Sequence, residues 1–291
     1  MKPRRSPWFD WMVLPTIVIL AFVIGYPIVR TFVLSTQNYK VLSGLPATGV
    51  GFSNYQQLYH DPVFWQSLRN TAVYTFGSVV VAVIIGLALA LLTEHMAGPW
   101  RYIRTVLLTP WAVPLIVVAF LFRYMFDQDS GVVNALLRDL GLIHSNVHWL
   151  TSSTWAMPTV MLANIWTAVP FFFLVFTASL TSVPTDVVEA ARVDRAGTWS
   201  MIGRIKLPYL LGPAMIAVLI MVINNFNDFA KIWAMTQGGP AYSTTTLVVY
   251  VYQLAFSSFN MGYASAIGVV WLLLLMIFAV FYVRLLQRAS R

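Results

Sequence analysis

The sequence contains no cysteine, and only 10% of its 291 residues are charged. The absence of cysteine excludes disulfide bonds, thiolate nucleophiles and metal sites with cysteine ligands. A soluble domain carries about 25% charged residues, so the scarcity of charge argues against a soluble enzyme. Disorder is excluded as well, because it requires low hydrophobicity and 59% of these residues are hydrophobic.

The sequence also lacks the motifs that would place catalysis on this chain. No G-x-x-x-x-G-K-[ST] loop is present, so we expect no Walker-type nucleotide site here. His144 and His148 lie four residues apart without further ligands, and no Ser/His/Asp set has a convincing setting. We therefore predict a chain that is not an enzyme and that holds no metal.

Long apolar runs are what the sequence has instead. A helix needs about 20 mostly apolar residues to cross the hydrocarbon core of a bilayer. The runs are continuous rather than alternating, which indicates helices and not the strands of a β-barrel. The predicted spans are Val13–Leu34, Thr71–Leu92, Thr105–Phe126, Ser153–Leu180, Leu207–Phe226 and Ser265–Val283. The predicted fold class is all-α and polytopic, with an N-terminal tail (1–12) before one transmembrane domain (13–291).

The distribution of basic residues predicts the orientation of the spans. If the N-terminus is cytoplasmic, the inner segments hold 12 of the 18 Lys and Arg residues, and the outer segments hold 4. Cytoplasmic loops carry such an excess of positive charge. We therefore predict that both termini are cytoplasmic. Because the basic residues lie at span ends, the net charge of +8 does not indicate a nucleic-acid partner.

The predicted inner loop 181–206 has its own helical pattern. Pro184 is suited to open a helix, and Asp186 and Glu189 have the spacing of a capping box. Gly197 ends this pattern, and Thr198 is suited to begin a second short helix. The pattern alone leaves two interpretations open: an amphipathic pair that packs on lipid, or a docking element for a cytoplasmic partner.

Two segments resemble the permease subunits of carbohydrate ABC importers. The run Glu189-Ala-Ala, Gly197 and Ile205-Lys-Leu-Pro208 resembles the EAA loop of that family, although Arg195 stands where the family usually has glycine. The segment from Asn225 to Tyr252, with its Gly-Gly-Pro sequence, is similar to the outer end of span 5 in maltose- and glycerol-phosphate-type importers. The resemblance implies six transmembrane helices in the type I, maltose-type permease arrangement.

The resemblance also implies partners. In the family, the EAA loop (here 181–208) seats in a groove of the ATP-binding subunit. The resemblance therefore implies a role in ATPase coupling for the residues Glu189, Ala190, Ala191, Asp194, Gly197, Leu207 and Pro208. The implied complex contains a second related permease, two copies of an ABC ATPase and an extracytoplasmic sugar-binding protein. ATP and Mg are then expected on the ATPase, and no cofactor is expected on this chain.

Polar residues inside spans 4 and 5 are candidates for substrate contact, because polar groups in the membrane are costly and often functional. Asparagine offers donors and acceptors that suit sugar hydroxyls, but an intramembrane asparagine also commonly holds two helices together. The polar pattern singles out Asn164, Trp166 and Thr167 in span 4, and Asn224, Asn225, Asn227 and Asp228 in span 5. The resemblance implies sugar contacts at Asn164, Thr167, Ala168, Phe171, Asn225 and Asp228.

Together these features predict the channel-forming subunit of an ATP-driven, binding-protein-dependent importer of a sugar, with an oligosaccharide or a glycoside favoured. The predicted location is the cytoplasmic (inner) membrane of a bacterium or archaeon. The alternative is an ion-coupled secondary sugar carrier, which would need carboxylates or histidines well inside its spans. Only Asp228, near an outer end, comes close to that requirement, while Glu94 and His95 are expected at the inner membrane interface.

Overall fold

The computed structural model describes residues 7–96, 98 and 102–289 of the chain. Residues 1–6 of the predicted tail (1–12) therefore lie outside the described residues. Its remainder is described by backbone only, as the start of the first helix at Pro7. Within the described residues, the strands are Gln37–Asn38 (β1) and Thr48–Gly49 (β2), which pair antiparallel with Gln37 opposite Gly49.

Five helices among the described residues are long and apolar enough to cross a membrane. Two further helices, bent by 95°, together pass the same test, so the count agrees with the six predicted spans if this pair is one broken span. They are span 1 (Val13–Ser35), span 2 (Pro62–Thr93), span 3a (Tyr102–Ala112) with span 3b (Leu115–Met125), span 4 (Ala156–Leu180), span 5 (Thr198–Phe226) and span 6 (Met261–Arg288).

Short helices connect these spans. The described residues form α1 (Ser53–Tyr59), α2 (Val132–Asp139), α3 (Thr185–Val193), α4 (Ala230–Thr236) and α5 (Leu247–Tyr252). Helix α3 begins one residue after Pro184, as predicted. The all-α polytopic fold class is therefore confirmed.

The prediction of span 3 as one helix from Thr105 to Phe126 is wrong. The helix breaks at Val113, which has the extended angles φ −81° and ψ 129°, and span 3b begins directly after Pro114. A proline disfavours the helical conformation of the residue before it. The sequence Val-Pro therefore ends one helix, and the second helix leaves at a large angle.

The prediction of a separate short helix beginning at Thr198 is also wrong. Residues Thr198–Ser200 continue through a π-helical stretch, Met201–Lys206, into Leu207–Phe226 without an interruption. Pro208 follows directly on the π-helical stretch and does not stop the helix. Span 5 therefore begins nine residues before the predicted start.

The chain divides into two compact units, and one of them comprises residues up to Phe64 together with Tyr250–Leu273. In this unit Asp61 accepts hydrogen bonds from the hydroxyls of Tyr250 and Tyr263, each at 2.6 Å. Burial alone would raise the pKa of the Asp61 carboxyl, but these bonds and those from backbone N–H groups hold it below its ordinary value. The carboxylate thus ties the start of span 2 to span 6.

The other unit comprises Trp65–Val249 and Leu274–Arg291. Spans 2 and 4 have the most extensive contact in it, and span 5 also packs on span 4. The close approach of spans 2 and 4 requires Gly86, because a Cβ atom there would lie 2.7 Å from the Cβ of Phe172. The core of this unit lies around Tyr74, Phe122 and Ile232, where span 2, span 3b and α4 meet.

Candidate functional site

A cavity of about 570 Å³ opens in the second unit, beside the break in span 3. Cavities of about 300–1,000 Å³ are typical of small-molecule sites. Seven of the nine candidates for substrate contact line it: Asn164, Thr167, Ala168, Asn224, Asn225, Asn227 and Asp228. The structure therefore brings most of the candidates from span 4 and from span 5 together in one cavity.

Two asparagines give this cavity free hydrogen-bonding capacity. Asn164 is 1% exposed and Asn225 is 5% exposed. The amide nitrogen of each side chain is buried and has no hydrogen-bond partner among the residues that the structure describes. A buried donor without a partner costs free energy, and most such groups in proteins are satisfied. Because both residues line the cavity, a ligand or an ordered water that enters it could supply the missing acceptors.

Two other polar side chains on the cavity are already engaged. The Thr167 hydroxyl donates to the Asn164 carbonyl at 2.9 Å, and the Asn227 amide donates to the Ile223 carbonyl at 2.7 Å. These are bonds within one helix, which Thr and Asn side chains commonly make. The two groups therefore have less capacity for a ligand than Asn164 and Asn225.

A buried ion pair also faces the cavity. The ammonium group of Lys231 lies 2.7 Å from Oδ2 of Asp228, and the two residues are 4% and 8% exposed. The Tyr74 hydroxyl on span 2 donates to the same carboxylate oxygen. Sequence reasoning identified Asp228 but missed Lys231 and Tyr74, although the i,i+3 spacing of Asp228 and Lys231 is a local signal.

Trp111 and Phe229 add aromatic surface to the cavity wall. Trp111 lies at the end of span 3a and is largely exposed, and the Phe229 ring stacks on Trp233. Sequence reasoning missed both positions. The prolines at 110 and 114 were a sequence signal, because proline kinks or breaks a helix. A break between them would have suggested that Trp111, at the end of the first half, is a site candidate.

Trp166 and Phe171 are the two predicted substrate residues that do not line this cavity. Trp166 packs against the core of the unit, with its ring 5.8 Å from that of Phe122. The ring of Phe171 contacts that of Phe172 at 5.6 Å. In this structure both side chains take part in helix packing.

The predicted coupling loop is built on α3, and Arg195 closes that helix. Arg195 has the left-handed angle φ 55°. Its N–H bonds to the Arg192 carbonyl, and the Ala196 N–H bonds to the Ala191 carbonyl. This pair of bonds is the Schellman motif, whose left-handed residue is usually glycine. The turn therefore keeps the glycine conformation although arginine occupies the position.

The predicted capping box of α3 is not formed. No side chain caps the N-terminus of this helix, and the Thr185 hydroxyl faces Asp186 at 3.5 Å. Most of the predicted coupling residues are exposed, and Ala191 is buried. Val193 and Trp199 present the most exposed apolar side chains of the loop.

Lys206 connects this loop to Glu94 at the end of span 2, a residue that we expected to lie at the membrane interface. The ammonium group of Lys206, which is buried, lies 2.5 Å from Oε2 of Glu94. Arg104 donates to the backbone carbonyls of Thr93 and Glu94. Three separate segments thus meet at the C-terminal end of span 2, whereas His95 is exposed there.

The chain matches, over residues 82–291, the family described as the inner membrane component of binding-protein-dependent transport systems. The chain belongs to this family. The permease is therefore a multi-pass subunit of an inner-membrane transport system. The predicted family is confirmed, and membership favours the binding-protein-dependent importer over the ion-coupled carrier.

Two relatives match this permease along nearly their whole length. SmoG of Agrobacterium fabrum, a sulfoquinovosyl glycerol transport system permease protein, is 34% identical over 98% of this chain and 94% of its own. MalF of Thermococcus litoralis, a trehalose/maltose transport system permease protein, is 30% identical over 98% of this chain and 95% of its own.

The fold of the permease is similar to that of a solved transporter. A chain of a bacterial alginate ABC transporter, crystallised in complex with alginate pentasaccharide-bound periplasmic protein, superimposes with a TM-score of 0.84. The two chains are 23% identical, and the match covers 98% of this chain and 96% of the other. The likeness shows that the permease has the fold of an ABC importer subunit.

Proposed function

We propose that this permease carries a sugar, an oligosaccharide or a glycoside, through the cavity between the break in span 3 and spans 4 and 5. The observation that carries this proposal is the pair of buried, unpartnered amide nitrogens of Asn164 and Asn225 on the cavity wall. Sugar hydroxyls can accept hydrogen bonds from these groups. A ligand that does so removes the cost of leaving the two donors unsatisfied.

The aromatic surface of the cavity supports the same class of cargo. Trp111 and Phe229 line the wall that also holds the asparagines. An aromatic face beside hydrogen-bonding groups suits a sugar ring, which has apolar faces and a polar rim. The transport of sugar derivatives by the relatives SmoG and MalF is consistent with this choice.

We further propose that α3 and the start of span 5 dock on a cytoplasmic ABC ATPase. The exposed acid Glu189 and the exposed apolar side chains of Val193 and Trp199 support this role. In the proposed complex, ATP and Mg bind to two ATPase copies, a second permease completes the pathway, and an extracytoplasmic binding protein delivers the sugar. Movement of the docked loop would then open the spans alternately to either side.

The substitutions Asn164→Ala and Asn225→Ala test the sugar site. Each removes one free donor from the cavity, so we expect each to reduce sugar uptake about fivefold, since one hydrogen bond contributes roughly 1 kcal/mol. Uptake is measured in cells that lack the native permease gene and carry the variant, with expression checked by immunoblot. Trp111→Ala is expected to reduce uptake more than Phe171→Ala, because Trp111 lines the cavity.

Asn38→Ala is the matched control, because Asn38 is exposed in β1 and does not line the cavity. It is expected to transport like the unmodified permease. Normal uptake by both the Asn164 and Asn225 variants at normal expression would reject the sugar site.

A further inference from the structure

We propose that this cavity selects an uncharged sugar over an acidic one, and that the ion pair of Asp228 and Lys231 sets this preference. The inference rests on the proposed function, since it concerns the charge of the cargo at the same site. Both classes of cargo are named among the similar proteins: a relative belongs to a trehalose/maltose transport system, and a similar structure belongs to an importer of the acidic polysaccharide alginate.

The wall of the cavity carries no net charge. Among the described residues that line the cavity, Asp228 and Lys231 are the charged ones, and their formal charges cancel. Arg123 on span 3b, which packs against α4, donates to the Ala234 carbonyl and does not line the cavity. An entering ligand therefore meets a wall without net charge.

Asp228 and Lys231 hold each other at short range. The carboxylate of Asp228 receives the Lys231 ammonium group at 2.7 Å and the Tyr74 hydroxyl on the same oxygen. Lys231 is held in this contact by its burial and by the i,i+3 spacing within one segment. An anion that approached Lys231 would also approach Asp228, so attraction and repulsion would largely cancel.

The desolvation of the ligand decides the preference. A carboxylate, sulfonate or phosphate loses strong hydration when it enters a buried site, and a counter-charge or several hydrogen-bond donors are needed to offset this loss. A neutral hydroxyl loses much less. The ammonium group of Lys231 still has protons beyond the one that faces Asp228, and it can donate to a hydroxyl oxygen without attracting a net charge.

Ligand binding to the assembled transporter in lipid nanodiscs tests the inference. The probes are maltose and trehalose, their C6-carboxylate derivatives, and the methyl esters of those carboxylates. Saturation-transfer NMR detects the weak binding expected at a transport site, with empty nanodiscs as background. We expect each sugar and its ester to bind at least tenfold more tightly than the carboxylate, although ester and acid have nearly the same shape.

The variant Asp228→Asn identifies the residue pair behind the preference. It keeps the shape and an oxygen for Tyr74 but leaves Lys231 without its counter-charge, so we expect carboxylate binding to rise at least tenfold relative to the ester. Asp129→Asn is the matched control, because it removes the same charge from an exposed outer loop. We expect it to leave the ratio unchanged.

Each outcome is informative. Equal binding of acid and ester to the unmodified transporter would overturn the inference while leaving the sugar site intact. An unchanged ratio in folded Asp228→Asn would overturn the role of the pair. If no sugar or ester binds, and Asn225→Ala transports normally, the proposed function itself fails and this inference fails with it. The comparison of acid with ester needs no variant, so it holds even if Asp228→Asn does not fold.

Discussion

Arg195 is a residue whose backbone conformation is unusual for its side chain. Its φ of 55° lies in the left-handed region, where a residue with a Cβ atom costs roughly 1–2 kcal/mol. Gly197, two residues later, has φ −66° and does not need to be glycine for conformational reasons. The resemblance placed the usual glycine at position 195, and the backbone there has the conformation that glycine favours.

The substitution Arg195→Gly is therefore expected to stabilise the end of α3 by roughly 1 kcal/mol, since glycine adopts positive φ without a steric cost. The measurement is amide hydrogen exchange of Ala196, whose N–H bonds to the Ala191 carbonyl in this turn. Slower exchange is the expected result.

Arg192→Gly is the control for the loss of an arginine from the same helix. Because Arg192 lies inside α3, glycine there should destabilise the helix by about 1 kcal/mol and speed exchange. Faster exchange in both variants would contradict the strain assigned to Arg195.

Asn164 and Asn225 show what the sequence can and cannot indicate about single residues. Their position within apolar runs is enough to mark them as exceptional. Whether an intramembrane asparagine holds two helices together or awaits a ligand depends on whether its amide finds a partner. The bonds of Asn227 and Thr167 within their own helices show that neighbouring polar residues differ in this respect.

At the scale of elements, the ion pair of Glu94 and Lys206 fastens the start of span 5 to the end of span 2. We expect Glu94→Gln and Lys206→Met each to destabilise the permease by about 1–3 kcal/mol, because each leaves a partly buried charge without its partner. The double variant should be more stable than the sum of the two losses predicts. Thermal unfolding of the purified transporter measures all three variants.

Asp186→Asn is the control for this cycle, because Asp186 is an exposed acid at the start of α3. It is expected to change stability by less than about 0.5 kcal/mol. Strictly additive losses in the double variant would show that Glu94 and Lys206 do not stabilise each other.

The break in span 3 is encoded by a proline, but a hydropathy profile does not reveal it. The apolar run continues across Val113 and Pro114, so a count of apolar residues predicts one helix. The proline disfavours helical angles at Val113, and the two halves diverge by 95°. This divergence places Trp111 on the cavity, at a position that the straight helix did not predict.

At the scale of the whole molecule, the absence of cysteine makes the predicted orientation directly measurable. Leu42 is 74% exposed in a predicted outer segment, and Val193 is 82% exposed in the predicted inner loop. In intact cells we expect a membrane-impermeant maleimide to label Leu42→Cys and not Val193→Cys. In inverted vesicles the labelling should be reversed.

The unmodified permease is the background control, since it has no thiol to react. If α3 docks on an ATPase subunit, labelling of Val193→Cys in inverted vesicles should also be faster when the ATPase is not expressed. Labelling of Val193→Cys from outside intact cells would contradict both the orientation and the docking role.

Hydropathy, charge distribution and a spaced motif are properties of the linear chain, so the membrane class, the apolar runs, the expected orientation and the family can be inferred without a structure. Contacts between distant residues cannot: Tyr74 meets Asp228, 154 residues away, and Glu94 meets Lys206, 112 residues away, only in the folded chain. The folded chain also shows that Asn164 and Asn225 line the cavity, whereas Trp166 and Phe171 do not. The physical reason is that a free donor, a cancelled charge or a packed ring depends on neighbours that other spans bring near.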